Sequence, residues 1–306
     1  MLYIPKSNHN KMINEHKKKF EEILGTFFNK EIKELPENLR PYYNLIKEYV
    51  MRGGKRLRPM AVILSHVSSG GSPNKVMLPA VAVELHHNYP LILDDIMDED
   101  ELRRGKPTVH EMVRKLQKTE KKKSKLFLDS SSKQAVSFAM MLGNLTNILS
   151  KKAIFSSDFS VETKYKAVEL LEKTDQLLYH GQMYDMMFEN KKPTEQEYLN
   201  MAELKTGALF GASFQLGALL AGKDEHIQHE LNQFGKTLGI MFQIQDDLGD
   251  IGQDKIAGKN TLATITSEIN CRKHITHMKS DLKKRLSGVS IIDKQPILDF
   301  AVQVIP

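Results

Sequence analysis

Apolar side chains recur at steps of three and four along most of this chain, the period of an α-helix that buries one face. Between residues 9 and 50, Met12, Ile13, Phe20, Ile23, Leu24, Phe27, Phe28 and Ile32 share such a stripe and predict an amphipathic helix. Prolines bound a break at 35–41, and 42–51 predicts the next helix. Apolar helices follow at 60–67, 77–97, 135–149, 165–188, 199–220 and 234–250, with a Gly/Ser/Pro loop at 68–74 and a polar turn at 189–193. Pro90 falls inside the predicted helix 77–97, where it removes a backbone donor and is expected to kink the segment. Two short aspartate clusters are the only internal repeat.

Composition changes this picture little. The 306 residues suffice for one substantial core, so 1–306 is expected to be a single domain, with the Lys/Ser-rich stretch near 115–133 as a surface insertion. A hydrophobic share of 41% with 15 Met and 11 Pro fits a soluble helical protein, and no apolar run approaches the ~20 residues that cross a bilayer. The first residues lack the apolar core of a secretory signal, which points to the cytoplasm. Cys271 is the lone cysteine and has no partner for a disulfide or a zinc site. A net charge of +6 without aromatic interleaving argues against a nucleic-acid surface, and anionic substrates account for part of it.

Candidate chemistry concentrates between Leu91 and His110. Asp94 and Asp98 stand one helical turn apart with Asp95 beside them, so three carboxylates are expected to converge on one small volume. Like charges at that density require protonation or a cation, and hard oxygen ligands suit Mg²⁺ shared with a substrate phosphate. Arg103 and Arg104 then offer planar forks for phosphate oxygens. A solvated acidic run with ordinary surface arginines would have the same composition. The second cluster separates these readings: Asp246, Asp247 and Asp250 repeat the spacing, and two such clusters suggest facing walls of one metal-filled cavity. Upstream, Gly53-Gly54-Lys55-Arg56-Leu57-Arg58-Pro59 sets three cations on a loop where glycines let the backbone approach a phosphate closely. A basic turn between helices is the plainer reading of that loop.

Taken in order, Asp94-Asp95-Ile96-Met97-Asp98, Arg103-Arg104-Gly105 and Asp246-Asp247-Leu248-Gly249-Asp250 resemble the motifs of the trans-isoprenyl diphosphate synthases, from about Gly53 to Thr261. The resemblance implies an all-α, isoprenoid-synthase-type helical bundle around a central active-site cavity. It implies a prenyltransferase that condenses isopentenyl diphosphate with allylic prenyl diphosphates, a homodimer, and neither nucleic-acid binding nor stable membrane insertion. About three Mg²⁺ per active site would sit on Asp94, Asp95, Asp98, Asp246, Asp247 and Asp250. Lys55, Arg58, His87 and Arg104 would hold isopentenyl diphosphate. Arg103, Gln182, Lys205, Thr206 and Gln243 would serve the allylic diphosphate, together with Lys255 or Lys259.

Several positions depart from the family pattern. Leu93 stands where a histidine is common, Pro90 where a small hydroxyl residue is usual, and Gly143-Asn144 where Gly-Asp is usual. The lysine loop after the second motif is shortened, and the tail is short. Tyr89, five positions before Asp94, matches the bulky floor that limits product length. With no insertion in the first motif, the pattern most resembles a short-chain geranylgeranyl diphosphate (C20) synthase. A farnesyl diphosphate (C15) synthase is the close alternative. A class I terpene cyclase would not carry the second Asp cluster or the glycine-basic loop, and a non-catalytic subunit of a heteromeric synthase would be expected to lose its aspartates.

Overall fold

The computed structural model describes residues 6–117 and 122–305; the side chains of residues 6–10, 253, 255 and 257 lie outside that description. Its helices are α1 (Lys6–Lys33), α2 (Arg40–Met51), α3 (Leu57–Ser68), α4 (Met77–Met97), α5 (Val109–Gln117), α6 (Ser130–Phe155), α7 (Val161–Glu189), α8 (Glu195–Ala202), α9 (Ala208–Leu220), α10 (Glu225–Ala257), α11 (Leu262–Ile265), α12 (Glu268–Gly288) and α13 (Gln295–Val304). A π-helical turn, Glu203–Gly207, joins α8 to α9. The fold is all-α, interrupted among the described residues by one two-stranded ladder, β1 (Leu102–Arg103) with β2 (Lys106–Pro107). No described helix is long and apolar enough to cross a membrane.

Helix starts follow from side-chain caps that satisfy otherwise unpaired backbone donors. Asp129 caps α6 through Ser132 N, Ser160 caps α7, and Asp224 caps α10 through Ile227 N at 2.9 Å. Thr194 and Glu197 form a reciprocal capping box on α8. The helix 77–97 is observed with the expected bounds and continues through Pro90 without a break. The expected kink therefore does not interrupt it, although the ring leaves the His86 carbonyl without its i+4 donor.

The chain divides into two compact units. One gathers Lys17–Arg56 and Met77–Ser157. There α4 packs on α6 so closely that a Cβ on Gly143 would lie 3.1 Å from Leu93 Cδ2. Tyr42 stacks on Phe138 at 4.8 Å, and Lys152 reaches Glu31 at 2.7 Å. The other unit gathers the chain up to His16, Leu57–Val76 and the chain from Asp158 onward. Its centre is α9, apolar nearly all round and buried as such a helix must be. Glycines set its distance to α10: a Cβ on Gly239 would come within 2.7 Å of Gly207 Cα, and one on Gly235 within 2.5 Å of Phe210 O.

Candidate active site

In the first unit, the aspartate motif occupies the C-terminal end of α4. Asp98 N bonds Asp94 O at 2.8 Å and carries the helical register one residue further, before Glu99 turns the chain at φ 54°. The ladder that follows reverses at Arg104-Gly105, both at positive φ (55° and 71°), as a two-residue type I′ hairpin requires. Arg52 pins this hairpin, donating from Nη1 to Pro107 O at 2.8 Å and to the Arg103 and Lys106 carbonyls at 3.3 Å. Arg103 thereby folds back on the motif. Its Nε lies 2.6 Å from Asp95 Oδ1 and its Nη2 lies 3.6 Å from Asp94 Oδ2.

Asp95 does not join Asp94 and Asp98 at the surface. It is fully buried, and its Oδ2 accepts the Tyr49 hydroxyl at 2.7 Å. Burial pushes the Asp95 carboxyl above the usual range, against the opposing pull of Arg103 and Tyr49. The expectation of three converging carboxylates is corrected here: adjacent helical residues point about 100° apart, and Asp95 turns into the protein. Asp94 keeps a small exposed edge and Asp98 is exposed.

Arg104 lies against the glycine loop. It donates to Gly53 O, and a Cβ on Gly54 would meet its guanidinium at 3.2 Å. Gly53 and Gly54 adopt φ of 104° and 151°, so this approach depends on glycine. Lys55 is exposed beside them. Arg56 turns inward and bonds Val50 O at 2.8 Å, Glu84 at 2.5 Å and Glu21 at 2.6 Å. His87 is half-buried on α4, while Tyr89 is fully buried against His86, ring centroids 5.3 Å apart.

In the second unit, Arg58 stacks over Phe210 at 4.6 Å. The π-turn carries Lys205 and Thr206. Lys205 Nζ pairs with Asp185 at 2.5 Å, and Gly181 of α7 lies so near that a Cβ would stand 2.3 Å from Lys205 N. Gln182 follows, half-buried. Thr206 Oγ1 donates to Gln243 Oε1 at 2.8 Å, and Gln243 Nε2 donates to Asp247 Oδ1 at 3.1 Å. Asp247 also accepts from the Tyr198 hydroxyl at 2.6 Å and from Leu262 N at 3.2 Å. Burial pushes its carboxyl up to about 6, although these three donors favour the charged form. Asp246 is half-buried, and Asp250 and Lys259 are exposed. The Lys255 side chain lies outside the described residues.

Among the described residues, no three carboxylate, imidazole or thiol groups form a cage for an ion. Mg²⁺ does not need one, since it retains waters and takes one or two carboxylates plus diphosphate oxygens. Asp94 with Asp98, and Asp246 with Asp250, each offer hard oxygens one turn apart. That donor set fits Mg²⁺ carried on a diphosphate. Tyr49, Arg52 and Tyr198 were not visible as site residues in the sequence, because their partners lie in distant segments.

Comparison with known proteins matches the polyprenyl synthetase family model over residues 40–295. The short chain isoprenyl diphosphate synthase of Methanocaldococcus jannaschii is 33% identical over 286 residues, 88% of this chain and 74% of that protein. The geranylgeranyl pyrophosphate synthase of Geoglobus acetivorans is 35% identical over 250 residues, 78% of this chain and 72% of that protein. A solved structure of the Geoglobus acetivorans geranylgeranyl pyrophosphate synthetase superposes with a TM-score of 0.77, covering 96% of this chain and 97% of that one at 28% identity.

Proposed function

The chain belongs to the polyprenyl synthetase family, and from that premise we propose that it condenses isopentenyl diphosphate head-to-tail with allylic diphosphates to make geranylgeranyl diphosphate. It is a prenyltransferase. The observation that carries the reading is the placing of two guanidiniums in the first unit: Arg103 paired with Asp94, and Arg104 held on the Gly53-Gly54 backbone. Carboxylates for a cation and guanidiniums for diphosphate are held in place before substrate arrives, the preorganisation that transition-state charge requires.

In this reading Asp94 and Asp98 in the first unit, and Asp246 and Asp250 in the second, are the carboxylates that would hold Mg²⁺ carried on the allylic diphosphate. When bound, Mg²⁺ supplies the positive charge that stabilises the departing diphosphate. Arg103 in the first unit and Lys205 in the second would add to that charge, and Gln182, Thr206, Gln243 and Lys259 would serve the same diphosphate. The allylic carbon–oxygen bond breaks with its electron pair on diphosphate. Lys55, Arg58, His87 and Arg104 orient isopentenyl diphosphate so that its double bond attacks the allylic carbon. A proton then leaves to the released diphosphate, and a new allylic double bond forms.

Tyr89 supports the C20 ceiling as a bulky, fully buried side chain five positions before Asp94. A homodimer is supported by α6, where Met141, Ile148 and Phe155 recur every seven residues and stay 55–58% exposed. Substrates and metal are all water-borne, which suits the cytoplasm. The test is to incubate the full chain with Mg²⁺, isopentenyl diphosphate and C5, C10 or C15 allylic diphosphate, and to weigh the product. A C20 ceiling supports the reading; a C15 ceiling makes the chain a farnesyl diphosphate synthase, and no condensation with any primer overturns it.

A further inference from the structure

We propose that Asp247 is a positioning residue, a hub clamped by Tyr198 that fixes the turn carrying Lys205 and Thr206 and the segment after Lys259. The inference rests on the reading that this chain binds a Mg²⁺–diphosphate.

Asp247 lies on α10 among the metal-facing aspartates, yet it is only 4% exposed. Both of its oxygens are engaged. Oδ2 takes the Tyr198 hydroxyl at 2.6 Å and Leu262 N at 3.2 Å, and Oδ1 takes Gln243 Nε2 at 3.1 Å. A carboxylate has about four acceptor sites, so three donors leave little for an ion. Asp246 and Asp250 are the more open members of the motif.

The donors come from three directions. Tyr198 is on α8 and is only 2% exposed. Leu262 opens α11, directly after the loop that holds Lys259, so the Asp247 carboxylate anchors the start of that helix. Gln243 passes the link on, because its own carbonyl accepts from Thr206 in the π-turn at 2.8 Å. One buried carboxylate therefore ties together α8, α10, α11 and the turn with the diphosphate-directed lysine. Networks of this kind in low dielectric hold geometry tightly, and losing one donor loosens the rest.

The first motif repeats the device within its own unit. Its second aspartate, Asp95, is fully buried and accepts Tyr49 at 2.7 Å together with Arg103 at 2.6 Å. In each motif the second aspartate faces a buried tyrosine and orients groups that meet substrate, as outer-shell partners do in metal sites. The Tyr49–Asp95–Arg103 arrangement is the same solution built from different elements.

The experiment compares wild type with Asp246→Asn, Asp247→Asn and Tyr198→Phe. Manganese binding in the presence of inorganic diphosphate is read by the electron paramagnetic resonance of free Mn²⁺, melting is measured without ligand, and KM is measured for the allylic substrate. Asp246→Asn is expected to weaken Mn²⁺ binding about tenfold or more, whereas Asp247→Asn stays within about threefold, because an amide oxygen still accepts from Tyr198 and Leu262. Tyr198→Phe is expected to raise KM about tenfold with Mn²⁺ binding little changed and the melting temperature lowered by only a few degrees, the loss of one hydrogen bond to a buried carboxylate. Equal losses in Asp246→Asn and Asp247→Asn would make Asp247 a ligand and overturn the assignment. So would an unchanged KM in Tyr198→Phe, which decides alone if Asp247→Asn does not fold. A wild type that neither binds Mn²⁺ with diphosphate nor turns over overturns the functional reading itself, and this assignment with it.

Discussion

Arg56 is buried against Glu84: the guanidinium lies 2.5 Å from a carboxylate that is itself 2% exposed, and Glu21 closes the pair from a second side at 2.6 Å. Burial disfavours the Arg56 charge, but Glu84 and Glu21 outweigh it and hold the group ionised. Truncating one member of such a pair leaves an uncompensated buried charge, so Arg56→Ala is expected to cost about 3–5 kcal/mol of stability. Arg56→Met combined with Glu84→Met should cost less than the sum of the single changes. Denaturant unfolding of Arg56→Met, Glu84→Met and the double variant measures this, and additive losses would show that the pair is not coupled.

This pair marks how far the sequence could be read. Gly53 to Arg58 presents as one basic loop with three equivalent cations, but folding gives each a different task. Lys55 stays exposed, Arg56 becomes a buried ion pair and Arg58 stacks on Phe210. Nothing in the spacing distinguishes them, because their partners are contributed by α1, α4 and α9. The bounds of α4 were legible because they depend on a local apolar period and on Asp-rich sequence at its end. The hairpin at 102–107 was not, since two-residue strands leave no alternating pattern. The inward turn of Asp95 and Asp247 was equally hidden, with tyrosines 46 and 49 residues away.

Gly181 sits where α7 touches the π-turn. A Cβ there would stand 2.3 Å from Lys205 N and 2.6 Å from its Cα, both backbone atoms that no rotamer change can clear. Gly181→Ala should therefore push the Lys205 turn aside and lower kcat/KM by about 10–100-fold, as displacements of about 1 Å in a site do. A stability loss of about 1–3 kcal/mol should accompany it. Gly252→Ala is the control: it lies in α10 with open space around it, and alanine there should leave both quantities unchanged or slightly raise stability. Steady-state kinetics and thermal melts of the two variants decide the matter, and equal behaviour would contradict the close approach.

Tyr89 is among the largest fully buried side chains of the protein. If it forms the floor of the product site, Tyr89→Ala should shift the product beyond C20. The change should also cost about 3–5 kcal/mol through the cavity it leaves. Tyr89→Leu removes the ring with a smaller void and keeps the test open if the alanine variant unfolds. Product masses that stay at C20 in both variants would remove Tyr89 from chain-length control.

His66 gives the chain an acid-sensitive element in α3. It is 2% exposed, its Nδ1 lies 3.2 Å from Gly217 O, and a Cβ on Gly71 would strike the ring at 2.1 Å. Burial lowers its pKa below the usual value, with Lys75 adding repulsion and the Gly217 and Ser72 backbone opposing. The unfolded chain then binds a proton at His66 more readily than the folded one. Stability from this group is complete above the unfolded value of about 6.5 and falls as pH drops from there through the folded pKa, by at most about 1.4 kcal/mol per pH unit. His66→Asn, which keeps a donor for Gly217 O but does not titrate, should flatten that slope while lowering stability at pH 8 through lost packing. Denaturant midpoints of wild type and variant between pH 8 and pH 5 measure it. Parallel curves would assign the acid sensitivity to other groups.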